Sequence, residues 1–233
     1  MISSEAYNTT DPFDDSKSTV IFCDFDGTIT VSDNILAIMK HFDPPGWEDL
    51  VEQLVAKKLS IRQAVGAMFA LLPTSRKDEV IHYAIHNASI RDGFEDFVDY
   101  CKINQITLLV TSGGIDFFIY PLLAPFAITE SNIYSNASSF AGECIEILWP
   151  HPCDEHCHVD CGMCKTSIIR SYDSRQYHRI LIGDSITDFA GAKLVDTIFA
   201  RSHLIELCDE LGLPYTPFET FFDIINRLEQ MSG

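Results

Sequence analysis

The sequence predicts an α/β fold: a parallel sheet with helices on both faces and an all-helical insertion after its first strand. Three observations carry this. The apolar run Thr19-Val20-Ile21-Phe22-Cys23 passes into Asp24-Phe25-Asp26-Gly27-Thr28, the pattern of a buried strand opening into a polar loop. From Asp33 to about Ile90 the apolar residues recur at helical spacing. Beyond Arg91, helix and strand patterns alternate, which builds parallel sheets covered by helices on both sides.

In chain order, residues 1–17 are polar and acidic and read as a flexible leader. A first strand follows, within a core expected over 18–33 and 91–233. The insertion, expected as a cap over 34–90, carries three apolar stripes. These are Ile35, Ile38, Met39 and Phe42; then Leu50, Leu54 and Val55; then Ile61, Val65, Met68 and Phe69. Pro44-Pro45-Gly46 and Pro73 punctuate its helices. A helix is expected from Phe94 to Lys102, a strand from Ile106 to Val110 and a helix from Asp116 to Leu123. Further strands are expected near Ile133 to Tyr134, Cys144 to Leu148, Arg179 to Ile182 and Thr197 to Phe199. In such sheets ligands sit beyond the carboxyl ends of the strands, where Asp24 and Asp26 fall.

The chain has 233 residues, 46% of them hydrophobic, enough for one core and an inserted lobe. Its formal charge of −18 argues against nucleic acid or an anionic membrane as partner, since both need a basic footprint. No apolar stretch approaches a membrane span and the N-terminus has no signal-peptide core, so a cytoplasmic location is expected. Four of the eight cysteines crowd between Cys153 and Cys164. That crowding suggests metal binding or reactive thiols more than a secreted disulfide scaffold.

Two aspartates spaced by two at a strand end share one side of the chain. Their mutual repulsion implies a bound cation or a proton shuttle. A calcium-binding EF-hand loop is excluded because its twelfth position, Ile35, lacks the required Glu. Thr111-Ser112-Gly113-Gly114 follows the second predicted strand and reads as a helix start able to hold a phosphate, or as an ordinary turn. Gly183-Asp184-Ser185-Ile186-Thr187-Asp188 follows another strand. It places Asp184 and Asp188 one helical turn apart, for a hard cation or for helix capping. Lys165 heads a predicted helix and could neutralise a transferring phosphoryl group. A P-loop is excluded, because Cys164-Lys165-Thr166 has no glycine-rich run before it.

Taken in order, Asp24-x-Asp26-Gly-Thr28, Ser112, Lys165 and Gly183-Asp184-Ser-x-Thr-Asp188 resemble the four motifs of the haloacid dehalogenase superfamily of phosphatases. The resemblance spans nearly the whole chain. It implies a Rossmann-like parallel sheet with the helical cap of the phosphoserine phosphatase group. A narrower resemblance, to phosphatases of methionine salvage, rests on Phe42-Asp-Pro-Pro-Gly-Trp47, Met68-Phe-Ala-Leu-Leu-Pro73, the run from Ser112 to Leu123, Trp149-Pro-His151 and Cys161-Gly-Met-Cys-Lys165. What it implies is a Mg2+-dependent hydrolase of a small-molecule phosphate monoester. Asp24 is then the nucleophile and Asp26 the general acid and base. Asp24, Asp26 and Asp184 hold Mg2+, and Lys165 is both catalytic and phosphate-binding. Thr28, Ser112, Gly113, Gly114 and Asp188 belong to the substrate-binding set, Asp188 also steadying the site from nearby.

Asp33 stands where phosphoserine phosphatases carry a substrate-contacting glutamate, so phosphoserine is the alternative substrate, with small sugar or polyol phosphates beside it. A non-catalytic metal-binding or interaction protein on the same fold is the alternative of another class, against which the intact motifs argue. Met39, Phe42, Trp47, Met68 and Phe69 either form the cap core or line a pocket for a methylthio tail. Phosphatase chemistry does not require Cys153, Cys157, Cys161 and Cys164, interleaved with His151, His156 and His158. Their spacing is compatible with structural Zn2+, with free thiols or with disulfides.

Overall fold

The computed structural model describes residues 17–231; the expected leader lies outside them except for Lys17. Seven strands form one sheet in the order β4-β3-β2-β1-β5-β6-β7. They are β1 (Ser18–Cys23), β2 (Thr107–Ile115), β3 (Ile133–Ser139), β4 (Glu146–Leu148), β5 (Tyr177–Gly183), β6 (Thr197–Ala200) and β7 (Thr216–Pro217). All neighbours are parallel except β4, which runs antiparallel to β3 at the edge. The sheet therefore has the expected α/β character. Strand order reverses around β1, which pairs with β2 on one side and β5 on the other. That opens a crevice at the carboxyl end of β1.

Alternation along the strands sorts the core into two layers. On one face Ile21, Cys23, Leu108, Val110, Ile180, Ile182 and Phe199 pack with α5 (Phe94–Ile103), α6 (Asp116–Leu123) and α10 (Phe221–Met231). On the other, Val20, Phe22, Leu109, Leu181, Ile198 and Ala200 meet α7 (Lys165–Arg170), α8 (Ile186–Ala192) and α9 (Ser202–Leu211). Each fully buried Phe contributes roughly 2–3 kcal/mol. The rigid layers thereby fix where the strand ends point.

Between β1 and α5 the chain forms α1 (Asn34–Phe42), α2 (Trp47–Val55), α3 (Ile61–Ala70) and α4 (Lys77–Asn87). Asp33 caps α1 by accepting from the Leu36 amide, and Ser60 with Gln63 forms a capping box on α3. The insertion leaves and rejoins the core side by side: Thr30 bridges Ile90, and the Val31 amide donates to Ser89 O. Met39, Trp47, Met68 and Phe69 are buried in the cluster that also covers the first sheet face. They are core rather than pocket lining. Phe42 is partly buried, against Tyr83 and under the Arg76 guanidinium.

Two expectations are corrected. β2 does not end at Val110 but runs through Ser112, Gly113 and Gly114 to Ile115, and α6 starts only at Asp116. Between the pairs Thr111–Tyr134 and Ile115–Asn136, three residues of β2 face one of β3, so the glycines form a bulge rather than a helix start. The strand expected over Cys144 to Leu148 covers only Glu146–Leu148.

Candidate active site

The chain leaves β1 at Asp24 in extended conformation and folds Phe25–Ile29 into a wide turn closed by a hydrogen bond from the Thr30 amide to Phe25 O, 2.9 Å. Gly27 takes φ +80 in this turn, and a side chain there would place its Cβ 2.2 Å from Asp184 Oδ2. Only glycine supplies both the left-handed backbone and the space for that carboxylate. Two cations grip the turn, Arg91 buried and Arg201 half-buried. Arg91 donates to the carbonyls of Thr28 (2.7 Å) and Gly27 (2.8 Å), and Arg201 to Gly27 O (2.7 Å).

The side chains of Asp24 and Asp26 diverge. Asp24 Oδ1 accepts from Lys165 Nζ at 2.9 Å. Asp26 Oδ1 accepts from the Asn34 amide (3.0 Å) and Asn34 Nδ2 (2.7 Å), while its Oδ2 accepts from Ser112 Oγ at 3.4 Å. The repulsion expected between these two acids falls elsewhere. Carboxylate oxygens of Asp24, Asp184 and Asp188 all lie within 4.8 Å of one another.

This trio strongly perturbs titration. Burial, then the charge of Asp188, pushes Asp24 well above the usual carboxylate range. The same two causes bring Asp184 up to about 6. Burial, then the charge of Asp33, raises Asp26 to about 7 against the opposing hydrogen bonds from Asn34. Burial disfavours the Lys165 ammonium, but Asp188 and Asp24 outweigh it and hold the proton more tightly than in a free lysine. Among the described residues Asp184 Oδ1 is buried with no hydrogen-bond partner. An orphaned buried carboxylate oxygen among hard oxygen donors is what a Mg2+ site provides.

The remaining predicted residues take different places. Asp188 is fully buried; Oδ1 accepts from Lys165, and Oδ2 accepts from the amides of Asp184 and Ser185, both at 3.1 Å. With both oxygens engaged it holds the lysine and the β5–α8 loop. Ser112 Oγ, also buried, accepts from the Gly114 amide at 2.9 Å. Gly114 must lack a side chain, because a Cβ would sit 2.5 Å from Asp26 Oδ2. Gly113 borders open space, and its carbonyl accepts from Asn136 Nδ2 at 2.7 Å. Thr28 is wholly buried, with Oγ1 unpartnered among the described residues. Asp33 is exposed beyond the turn.

A family model of haloacid dehalogenase-like hydrolases matches residues 21–193. The chain belongs to that family. The hydrolase is 54% identical over 216 residues to the 2-hydroxy-3-keto-5-methylthiopentenyl-1-phosphate phosphatase of Brevibacillus brevis, covering 93% of this chain and 97% of that one. It is 49% identical over 216 residues to the protein of the same name from Geobacillus kaustophilus, covering 93% and 98%. In fold it resembles a substrate-bound phosphoserine phosphatase, with TM-score 0.67, 16% identity and coverage of 91% and 98%. It also resembles a phospho-aspartyl intermediate analogue of phosphoserine phosphatase, with TM-score 0.66, 16% identity and coverage of 91% and 99%. At that identity the likeness concerns the fold alone.

Three residues that hold the hydrolase's site together escape sequence reasoning. Asn34 orients Asp26 and also donates to Thr30 Oγ1 at 3.1 Å. Arg91 lies 63 residues from the Thr28 carbonyl it binds and Arg201 174 residues from Gly27. The one available signal was two arginines placed among apolar runs in a chain with few cations.

Proposed function

We propose that the hydrolase cleaves 2-hydroxy-3-keto-5-methylthiopentenyl-1-phosphate to 1,2-dihydroxy-3-keto-5-methylthiopentene and phosphate in L-methionine salvage. The supporting observation is identity near one half to phosphatases of that name over more than nine-tenths of the chain, with the Asp24–Lys165–Asp188 array intact. In this reading residues 34–90 form the cap and the rest of 18–233 the catalytic core. Phosphoserine is the alternative substrate, favoured by the position of Asp33 and by fold-level likeness.

Asp24 attacks phosphorus in line and becomes an aspartyl-phosphate, so one difficult displacement is split into two. Asp26, raised to about 7, carries a proton near neutral pH and gives it to the leaving enol oxygen. It then accepts the proton of the water that cleaves the acyl phosphate. Lys165, held by Asp24 and Asp188, keeps its charge and stabilises the phosphoryl oxygens. Asn34 and Ser112 keep the Asp26 carboxyl oriented toward the leaving group. Mg2+ would be held by the Asp24 carboxylate, the Asp26 carbonyl and Asp184. When bound it supplies positive charge that shields the phosphoryl group from the acidic trio.

The test is phosphate release with Mg2+ from a panel of the enzymatically generated methylthio substrate, phosphoserine, and sugar and polyol phosphates, with Asp24→Asn as control. A kcat/KM at least about tenfold higher on the methylthio compound, about 1.4 kcal/mol of discrimination, is expected. Phosphoserine-led activity would remove the substrate assignment and keep the mechanism; full activity in Asp24→Asn would remove the mechanism.

A further inference from the structure

The proposed reaction leaves the cysteine-rich segment before α7 without a role, yet the fold gathers it closely. Cys153, Cys157, Cys161 and Cys164 are thiols with Sγ atoms all within 4.8 Å of one another. Cys157 Sγ and Cys161 Sγ lie 3.8 Å apart. A tetrahedral zinc with Zn–S bonds of about 2.3 Å requires S···S separations of about 3.8 Å. Seven candidate ligands in the sequence narrow to four, since His151, His156 and His158 lie outside this group. His151 packs against Tyr134, and His156 faces Glu155.

The surroundings suit a tetrathiolate. The Cys161 amide donates to Cys153 Sγ at 3.5 Å, and Cys164 Sγ lies 3.3 Å from Thr166 Oγ1. Amide and hydroxyl contacts of this kind orient thiolate ligands and spread their charge. Gly162 lies inside Cys161-Gly-Met-Cys164 at φ +83, and a Cβ there would approach Trp149 to 2.7 Å. The knuckle therefore needs glycine for both its turn and its packing. The Arg170 guanidinium sits beside the cluster and is tied to Asp154.

The cluster also joins two parts of the molecule. Cys164 immediately precedes α7, which is only six residues long and begins with Lys165. On the other side Asp160 accepts from Ser60 Oγ at 2.6 Å and Arg62 Nε at 2.5 Å, at the start of α3. We propose that Cys153, Cys157, Cys161 and Cys164 bind one structural Zn2+ that fixes Lys165 and α3 of the insertion to a common anchor. Four sulfurs all converging on one point are more than one disulfide needs, and so short a helix gains little cohesion from its own hydrogen bonds.

The inference stands apart from the choice of substrate, because its readouts are metal content and local exchange. The full chain is purified under a non-thiol reductant without chelator, and zinc is measured by elemental analysis with titration of accessible thiols. About one zinc per chain, four thiols that react only as zinc is released, and loss of at least nine-tenths of the metal in Cys157→Ser are expected. Cobalt(II) refolded into the site should show intense thiolate-to-metal absorption. Hydrogen exchange should quicken in 165–170 and in the first turn of α3 when a chelator strips zinc from the unaltered protein. That measurement holds even if Cys157→Ser fails to fold. Zinc below about one-tenth per chain with freely reactive thiols, or a mass showing disulfides in fresh protein, would overturn the site. Unchanged exchange at both segments after zinc loss would overturn the anchoring role.

Discussion

Replacing Asp184 with Asn should make the Mg2+-free protein more stable while destroying its metal response. Asp184 is raised from 3.8 to about 6 by burial and by Asp188, and its Oδ1 makes no protein hydrogen bond. A carboxyl whose folded pKa is raised binds its proton more tightly when folded. Its contribution to stability is full below pH ~4 and is lost as pH rises through about 6. At pH 7 the ionised group costs up to 1.36 kcal/mol for each unit between 3.8 and 6, or ~3 kcal/mol. Solvent contact at this half-buried side chain reduces that to about 2 kcal/mol. Asparagine removes the charge with almost no change in shape. Thermal melts in Mg2+-free buffer at pH 7 should place Asp184→Asn roughly 4–8 °C above the unaltered protein. At pH 4 the gap should shrink to within about 0.6 kcal/mol, since the group is then protonated in the folded state. Saturating Mg2+ at about a hundred times its Kd should add about 2.7 kcal/mol to the unaltered protein and nothing to the variant, reversing the order. A variant less stable at pH 7 without Mg2+, or a gap that persists at pH 4, would refute the electrostatic account.

Two other outcomes follow from the same site. The phosphoryl-transfer step should slow about tenfold per pH unit above about 7, because Asp26, raised to about 7 by burial and by Asp33, loses the proton it must donate. Single-turnover rates across pH should show this limb, and Asp26→Asn should be slow and flat over the same range. Arg91→Met should cost about 3–4 kcal/mol, near 10 °C in melting temperature. It strips donors from the buried carbonyls of Gly27, Thr28 and Thr30. Arg91→Lys should recover less than half of that loss, since one ammonium cannot span three carbonyls.

Asp24, Asp26, Lys165, Asp184 and Asp188 could be read in the sequence because each stands at a strand end or helix start whose local pattern is plain. β1 and β5 were legible for the same reason. The extension of β2 was not, since Gly113 and Gly114 weaken strand propensity and bulge only because β3 holds both sides of them. The cysteine segment was legible as a cluster, but its choice among zinc, thiols and disulfides depends on distances that spacing does not contain. Asn34, Arg91 and Arg201 were invisible because their partners are backbone carbonyls or carboxylates brought near by folding.

By itself the sequence determined the central strands β1 and β5, the order of the chemical groups along the chain and hence the family they belong to. Only the tertiary structure decided how those groups divide their work. It turned Asp24 toward Lys165, 141 residues away, and Asp26 toward Asn34 and Ser112. It placed the charge conflict among Asp24, Asp184 and Asp188. The reason is physical: spacing along a chain fixes which face a side chain occupies, whereas proton affinity depends on burial and on charges a few ångströms away, and the packing of distant elements sets both.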